Sequence, residues 1–181
     1  MKRIVIYKTK TGFTEKYAHW IAEDLGCEAV RLEKFSASQM SRYDVVIFGG
    51  GIHAGTINGI GFVKNNLSAL ENKKIIVFAT GATPAIPSEI ERFEKANIPP
   101  KNDISFFYFQ SGMNYAKMHG RDKLLMSMFK AFLKLKKTKS DVEKGAADAI
   151  RHSYDYSNRD YIAPLIQYIN AIPSAEQESV L

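Results

Sequence analysis

The fold of this chain is constrained most strongly by five short runs of apolar residues, rich in β-branched and aromatic side chains. Longer segments of helical character separate the runs. Three of the runs are apolar almost throughout, which is typical of parallel strands that are covered on both faces. The pattern therefore predicts an α/β fold built on a parallel sheet. The predicted strands are residues 3–7, 29–32, 45–49, 75–79 and 104–109.

Apolar residues at helical spacing predict helices between these strands and after the last one. In the first helix, residues 13–25, the apolar stripe ends at Gly26, a residue that commonly stops helices. The last helix, residues 158–169, contains Pro164, which could delay its start. The two remaining predicted helices are residues 60–70 and 88–96.

The size and composition of the chain favour one globular domain that spans residues 1–181. Hydrophobic residues make up 45% and charged residues 24%, which is enough apolar mass to bury a core. The single cysteine, Cys27, allows no internal disulfide and is typical of a reducing compartment. The sequence shows neither a signal peptide nor an apolar run of spanning length. We therefore expect a cytoplasmic protein, although one that could touch a membrane surface.

The charge balance favours anionic partners. The net charge is +6, from 25 basic and 19 acidic residues, which suits phosphates, lipid headgroups or nucleic acid. His19, His119 and His152 show no metal-ligand spacing with other histidines, cysteines or carboxylates. We predict no metal site.

One segment, residues 111–155, is longer than a loop between the last strand and the last helix needs to be. It contains the amphipathic stretch GRDKLLMSMFKAFLKLKKTK, in which apolar residues recur at helical spacing among many lysines. A basic amphipathic helix over residues 121–139 could bind a membrane, with apolar side chains at the lipid boundary and lysines on anionic headgroups. It could equally pack on the domain with its lysines in water.

The turn between the first strand and the first helix has the composition of an anion-binding loop. Ligands of open parallel sheets bind at the carboxyl ends of the strands, where this turn lies. Backbone N–H groups, the helix dipole and threonine hydroxyls can all favour a phosphate there, and a glycine lets the anion approach. An ordinary helix cap is the alternative interpretation. The loop consists of Thr9, Lys10, Thr11, Gly12, Phe13 and Thr14.

Two further loops of small residues follow the third and fourth predicted strands. Small residues let the backbone lie against a flat ring, whose polar edge the backbone N–H and C=O groups can then reach. His53, in the first of these loops, could lie beside such a ring and handle a proton, or be an ordinary solvated histidine. The loops contain Gly50, Gly51, Ile52, His53, Ala54 and Gly55, and Thr80, Gly81, Ala82, Thr83 and Pro84.

The first loop resembles the phosphate loop of the flavodoxin family, Ser/Thr-x-Thr-Gly-x-Thr, and the other two lie where flavodoxins hold the flavin ring. The resemblance covers about residues 1–110 and the final helix. It implies a flavodoxin-like, doubly wound, five-stranded parallel sheet of order 2-1-3-4-5, with a helical insertion before the last helix. It also implies FMN as the cofactor, bound by the three loops. Phe13 departs from the family, which often has Asn there, and could weaken a hydrogen bond near the ribityl chain or pack on it.

Within this superfamily the chain is most similar to the flavodoxin-like protoporphyrinogen dehydrogenases. The stretches that carry the similarity are GGGIHAGTINGIGFVKNN and SGMNYAKMHGRDKLLMSMFKAFLK. They imply an enzyme that takes electrons from an apolar, anionic porphyrinogen through FMN and passes them to a membrane quinone. Lysines and Arg121 could then pair with substrate propionates. Residues expected over the flavin are Met113, Asn114, Tyr115 and Arg121, and candidates for catalysis are His53, Tyr115 and Arg121.

Two other functions are compatible with the sequence. The first is a soluble flavodoxin-type electron carrier, although such carriers are typically acidic and usually stack an aromatic residue on the flavin, which ATGATPA lacks. The second is a non-enzymatic module whose basic helix binds a membrane or nucleic acid, since net charge alone permits it. We expect no specific nucleic acid partner, because the three loops favour a flavin protein.

Overall fold

The computed structural model describes residues 1–100, 103–117, 120, 124, 127, 128, 131 and 153–173. Backbone packing separates the chain into two compact units, Met1–Ser111 with Ser157–Leu181, and Gly112–Tyr156. The bounds of the second unit differ by one residue at each end from the predicted insertion, residues 111–155. A single domain over the whole chain stays a prediction.

The sheet of the first unit consists of β1 (Arg3–Lys8), β2 (Glu28–Arg31), β3 (Val45–His53), β4 (Thr56–Ile57), β5 (Lys74–Gly81) and β6 (Ile104–Gln110). Five of these strands pair in parallel in the order β2-β1-β3-β5-β6, and the short β4 pairs antiparallel with β3. Without β4, this is the predicted order 2-1-3-4-5, so the flavodoxin-like fold is confirmed. The order reverses between β1 and β3, which is where sheets of this kind bind ligands.

β3 continues four residues beyond its predicted end at Gly49. Gly50 still pairs with β1, and Gly51 with β5. A Cβ on Gly49 would lie 2.0 Å from the ring of Phe78, and a Cβ on Gly50 would lie 2.5 Å from a backbone oxygen. The prediction of a loop at residues 50–53 is therefore wrong, because β3 continues through them and its glycines allow close packing within the strand. Thr80 and Gly81, predicted in the next loop, likewise lie in β5.

The helices of the first unit are α1 (Phe13–Leu25), α2 (Gly61–Asn65), α3 (Pro87–Asn97) and α4 (Ala163–Asn170). The predicted bounds of α1 are confirmed, and Gly26 ends it in a left-handed conformation with φ of 61°. α3 is one residue longer at each end than predicted.

Two predicted helices differ from the structure. Residues 60–70 form α2 and a separate 3₁₀ turn, Leu67–Leu70, because Asn66 interrupts them and its side-chain amide donates to the carbonyl of Phe62 at 2.7 Å. α4 begins at Ala163, after a 3₁₀ turn, so that Pro164 lies in its first turn, where proline is tolerated.

Apolar side chains cover both faces of the sheet. Ile4 and Phe48 project into one core, where Phe93 of α3 packs. Val5 and Ile47, their neighbours in sequence, project into the other core beneath α1 and α4. Burial on both faces explains why the strands are apolar almost throughout. The helix residues in that second core include Tyr17, Ala18, Ile21, Leu165 and Ile169.

The second unit contains an antiparallel pair of short strands, β7 (Gly112–Met113) and β8 (Tyr154–Asp155). A 3₁₀ turn, Tyr115–Lys117, follows β7. Of the predicted basic helix, Leu124, Ser127, Met128 and Ala131 are helical, and its other residues lie outside the described part of the chain. Among the described residues, no helix is both long and apolar enough to span a membrane.

Candidate functional site

The loop between β1 and α1 ends at Gly12, the residue that begins the first turn of the helix. Gly12 has a left-handed φ of 96°, and its N–H donates to the Thr9 hydroxyl at 3.0 Å. Among the described residues, no side chain caps the first turn of α1. The N–H groups of a first turn have no partner within the helix, and the helix dipole adds partial positive charge there. This end of α1 therefore favours an anion.

A buried hydrogen bond joins this loop to the end of β5. The hydroxyls of Thr14 and Thr80 lie 2.8 Å apart, and the two residues are 2% and 3% exposed. Gly51 of β3 lies beside them, because a Cβ there would be 3.4 Å from Thr14 Oγ1 and 3.8 Å from Thr80 Oγ1. Residues from the first, second and third predicted loops thus meet at one place at the carboxyl edge of the sheet.

The loop after β3 is a two-residue hairpin turn. His53 of β3 pairs with Thr56 of β4, and the turn residues Ala54 and Gly55 both have positive φ, 49° and 83°. Such turns match the twist of the two strands that they join. The side chain of His53 is exposed, at the end of the strand, so His53 borders this edge of the sheet.

Asn97, at the end of α3, was not a predicted site residue, yet its buried amide holds this turn. Its Oδ1 accepts from the N–H of Ile57 at 2.8 Å, and its Nδ2 donates to the carbonyl of Gly55 at 2.9 Å. The partners lie 40 and 42 residues away in the sequence. An asparagine at a helix end is a common local feature, so the sequence does not distinguish Asn97. Only its hydrogen bonds to the distant turn show that it is a structural link.

The loop after β5 is held by β6. Tyr108 donates its hydroxyl to the carbonyl of Thr83 at 2.6 Å, and the N–H of Ser111 donates to the carbonyl of Gly81 at 2.7 Å. A Cβ on Gly81 would lie 2.7 Å from the Tyr108 hydroxyl, so glycine is required for this contact. Ala82 and Thr83 are partly exposed, and Pro84 is exposed.

The one carboxylate in the first turn of α1, that of Glu15, is paired with an arginine. Glu15 accepts from Arg31 through both its oxygens at 2.7 Å and from the Tyr7 hydroxyl at 2.9 Å. Partial burial opposes ionisation of Glu15, but the hydrogen bonds from Arg31 and Tyr7 outweigh it and lower the pKa of the carboxyl. Burial, and then the same carboxylate, raise the pKa of Tyr7. The Arg31 contact offsets a negative charge that would oppose an anion at this helix end.

The remaining predicted residues belong to the second unit. Met113 lies in β7, and Asn114 accepts from the N–H of Lys117 at 3.2 Å. Tyr115 begins the 3₁₀ turn, and Arg121 lies outside the described residues. A position of these residues over a flavin stays a prediction. In the described part of the chain, no group of His, Cys, Asp or Glu could hold a metal ion.

Taken together, a doubly wound parallel sheet with an anion-binding turn at its switch point defines a flavodoxin-like domain. Residues 4–141 match the family model described as "Flavodoxin domain". This match covers more than half of the chain, so the protein belongs to the flavodoxin domain family.

Individual relatives are distant. An uncharacterized protein of Methanocaldococcus jannaschii is 32% identical over 89 residues, which is 49% of this chain and 59% of that protein. Among solved structures, a flavodoxin from the domain Archaea is 12% identical, with a TM-score of 0.44 over 84% of this chain and 100% of that one. A flavodoxin, WrbA-like protein from Agrobacterium tumefaciens is 14% identical, with a TM-score of 0.49 over 64% of this chain and 87% of that one.

Proposed function

We propose that this protein binds FMN at the carboxyl edge of its sheet and transfers electrons through it. The observation that carries the proposal is the buried contact between Thr14 and Thr80, which brings the uncapped start of α1 together with the end of β5. The residues present fit the group. A phosphate needs N–H and hydroxyl donors without a competing negative charge, and Glu15 is paired with Arg31.

In this proposal the three loops have separate tasks. Residues 9–14 hold the phosphate through backbone N–H groups and threonine hydroxyls. Residues 51–55 and 80–84 would hold and orient the isoalloxazine ring through their backbone groups. Bound FMN supplies the redox chemistry, because its ring accepts and releases electrons and hydride equivalents. His53, exposed at the end of β3, is the residue that we propose to handle a substrate proton at the rim of the site.

The first test is titration of the purified protein with FMN, followed by visible absorbance and by quenching of flavin fluorescence. We expect stoichiometric binding with a shifted flavin spectrum. Protein that stays colourless and leaves FMN fluorescence unchanged would contradict the proposal and favour a non-enzymatic module.

We further propose that the electron donor is an apolar, anionic molecule such as a porphyrinogen and that the acceptor is a membrane quinone. The second unit supports this reaction. Leu124 and Met128, four residues apart on the predicted basic helix, are each 63% exposed, so these two apolar side chains are not covered by packing. Exposed apolar residues among lysines suit an anionic membrane surface, where apolar substrates are exchanged.

The reaction is tested in two half-reactions under anaerobic conditions. Protoporphyrinogen should bleach the flavin of the FMN-loaded protein, and a menaquinone analogue should restore its colour. Anionic vesicles should bind the protein, and Leu124→Lys with Met128→Lys should abolish that binding. Failure of both half-reactions with FMN bound would rule out this substrate class.

A soluble electron carrier is the second candidate. It is favoured by the fact that the first unit alone contains all three loops, so the proposed cofactor site needs no residue of the second unit. For a carrier, the Leu124 and Met128 substitutions should leave electron transfer to a soluble acceptor unchanged. For the quinone reaction, they should slow reoxidation by vesicle-bound menaquinone.

A further inference from the structure

Asn97 is one of the few polar residues that are fully enclosed in the first unit, at 1% exposed. Its side-chain amide makes three hydrogen bonds, to the N–H of Ile57 and to the carbonyls of Gly55 and Phe93. A primary amide offers two donors and one acceptor oxygen, so both donors and the acceptor are used. Burying an amide costs free energy unless it is hydrogen-bonded, and here every donor and the acceptor has a partner. Replacing Asn97 would leave those buried partners unpaired.

Only one of these three hydrogen bonds lies within α3. The bond to Phe93, four residues earlier, closes the end of the helix at 2.8 Å. The other two reach across to the β3–β4 hairpin, where they hold Gly55 and Ile57 on the outgoing side of the turn. The amide therefore links α3 to the geometry of the turn.

The backbone of the turn is held both by the pairing of β3 with β4 and by Asn97. Ala54 has a φ of 49°, a left-handed conformation that costs a residue with a Cβ free energy. Strained backbone of this kind persists only where the surrounding structure determines it. Ala54 is itself exposed, and Asn97 adds buried side-chain hydrogen bonds to the turn beside those of the β3–β4 ladder.

We propose that Asn97 is a positioning residue for the flavin ring: its amide sets the direction of the Ala54–Gly55 backbone groups that face the ring. This inference rests on the proposed function, because it assigns the ring to residues 51–55. Asn97 acts through the turn and does not touch the cofactor. Its loss should change how the ring is held without changing how the phosphate is held.

The test compares FMN with riboflavin, which has the same ring but no phosphate. Asn97→Ala should raise the Kd for both flavins by the same factor, about tenfold, because ring contacts are common to both. It should also shift the midpoint potential of bound FMN. A phosphate-loop defect would instead weaken FMN alone.

Asn66 provides a matched control. Its amide also donates to a carbonyl four residues earlier, that of Phe62, at the end of α2, but among the described residues it makes no hydrogen bond to the hairpin turn. Asn66→Ala should therefore cost stability and leave both Kd values and the potential unchanged. Asn97→Asp is the second variant, since it keeps an acceptor for Ile57 and removes the donors to Gly55 and Phe93.

Each outcome is decisive. If wild-type protein binds neither flavin, the proposed function fails and this inference fails with it. If wild-type protein binds both and the Asn97 variants match it in Kd and potential, this inference alone is wrong. If both Asn97 variants fail to fold while Asn66→Ala folds, Asn97 serves folding only, and the inference is overturned.

Discussion

The hydroxyl oxygens of Thr14 and Thr80 lie 2.8 Å apart, although 66 positions separate the two residues in the sequence. Both residues are buried, so neither hydroxyl can exchange this partner freely for water. The pair connects the first turn of α1 with the carboxyl end of β5. It brings the β1–α1 loop and the end of β5 together at the carboxyl edge of the sheet, where we propose that FMN binds.

Thr80→Val tests this contact. The substitution keeps the shape of the side chain and removes the hydroxyl, so the buried Thr14 hydroxyl loses its partner. We expect the free energy of unfolding to fall by about 1–2 kcal/mol, measured by urea denaturation. Thr56→Val on β4, where the threonine is exposed, should change it by less than about 0.5 kcal/mol. Equal stability of Thr80→Val and wild type would show that the contact contributes nothing.

Gly12→Ala tests the anion-binding turn, and Gly26→Ala is its control at the other end of the same helix. Both glycines have positive φ, 96° and 61°, so both alanines should cost about 1–2 kcal/mol of stability. Only Gly12→Ala should also weaken FMN binding, by about tenfold, with riboflavin binding unchanged. Similar FMN affinities for the two variants would show that Gly12 does not contribute to phosphate binding.

The pairing of Glu15 with Arg31 predicts a specific pH dependence of stability. The folded-state pKa of Glu15 lies below its ordinary value of 4.5, so folding favours the ionised carboxylate. Its stabilising contribution is present above the ordinary pKa and is lost as the pH falls through the folded-state pKa. Arg31→Gln should therefore flatten the decline of stability in acid, measured by urea unfolding from pH 6 downward.

Arg92→Gln is the control for this experiment. It removes an equal charge from an exposed ion pair within α3, with Glu89. Its stability curve in acid should keep the slope of wild type. If both arginine variants changed the slope alike, net charge rather than the Glu15 pair would be the cause.

Ala54→Gly should stabilise the protein. Glycine adopts the left-handed φ of 49° without the penalty that alanine has there, so we expect a gain of about 0.5–1 kcal/mol in thermal or urea unfolding. Asn72→Gly is the comparison at a second positive φ, 63°, where asparagine is already tolerated and the gain should be smaller. A loss of stability in Ala54→Gly would mean that the alanine conformation is not strained.

The sequence predicts those elements whose determinants are local. α1 begins and ends at the predicted residues, because its apolar stripe and Gly26 lie within one stretch of chain. The end of β3 is not predictable in the same way. Gly50 is typical of a loop until the backbone of Asn58 is known to occupy the space beside it.

The site shows the same division. The turn that we propose to hold the phosphate is recognisable from the spacing of Thr9, Gly12 and Thr14, since one stretch of chain contains all three. The contacts of Arg31 and Asn97 could not be predicted from the sequence, because their partners, Glu15 and Gly55, come near only in the folded chain. Hydrogen-bond partners across tens of residues leave no periodic pattern in a single sequence.

The central claim, that the three loops bind FMN together, is tested most directly by an amide NMR titration of the ¹⁵N-labelled protein with FMN. We expect the largest shift changes at residues 9–14, 51–55 and 80–83, and we expect riboflavin to reproduce only those of the last two segments. Changes confined to other regions, or equal changes at residues 9–14 with riboflavin, would show that the three loops do not bind FMN in this way.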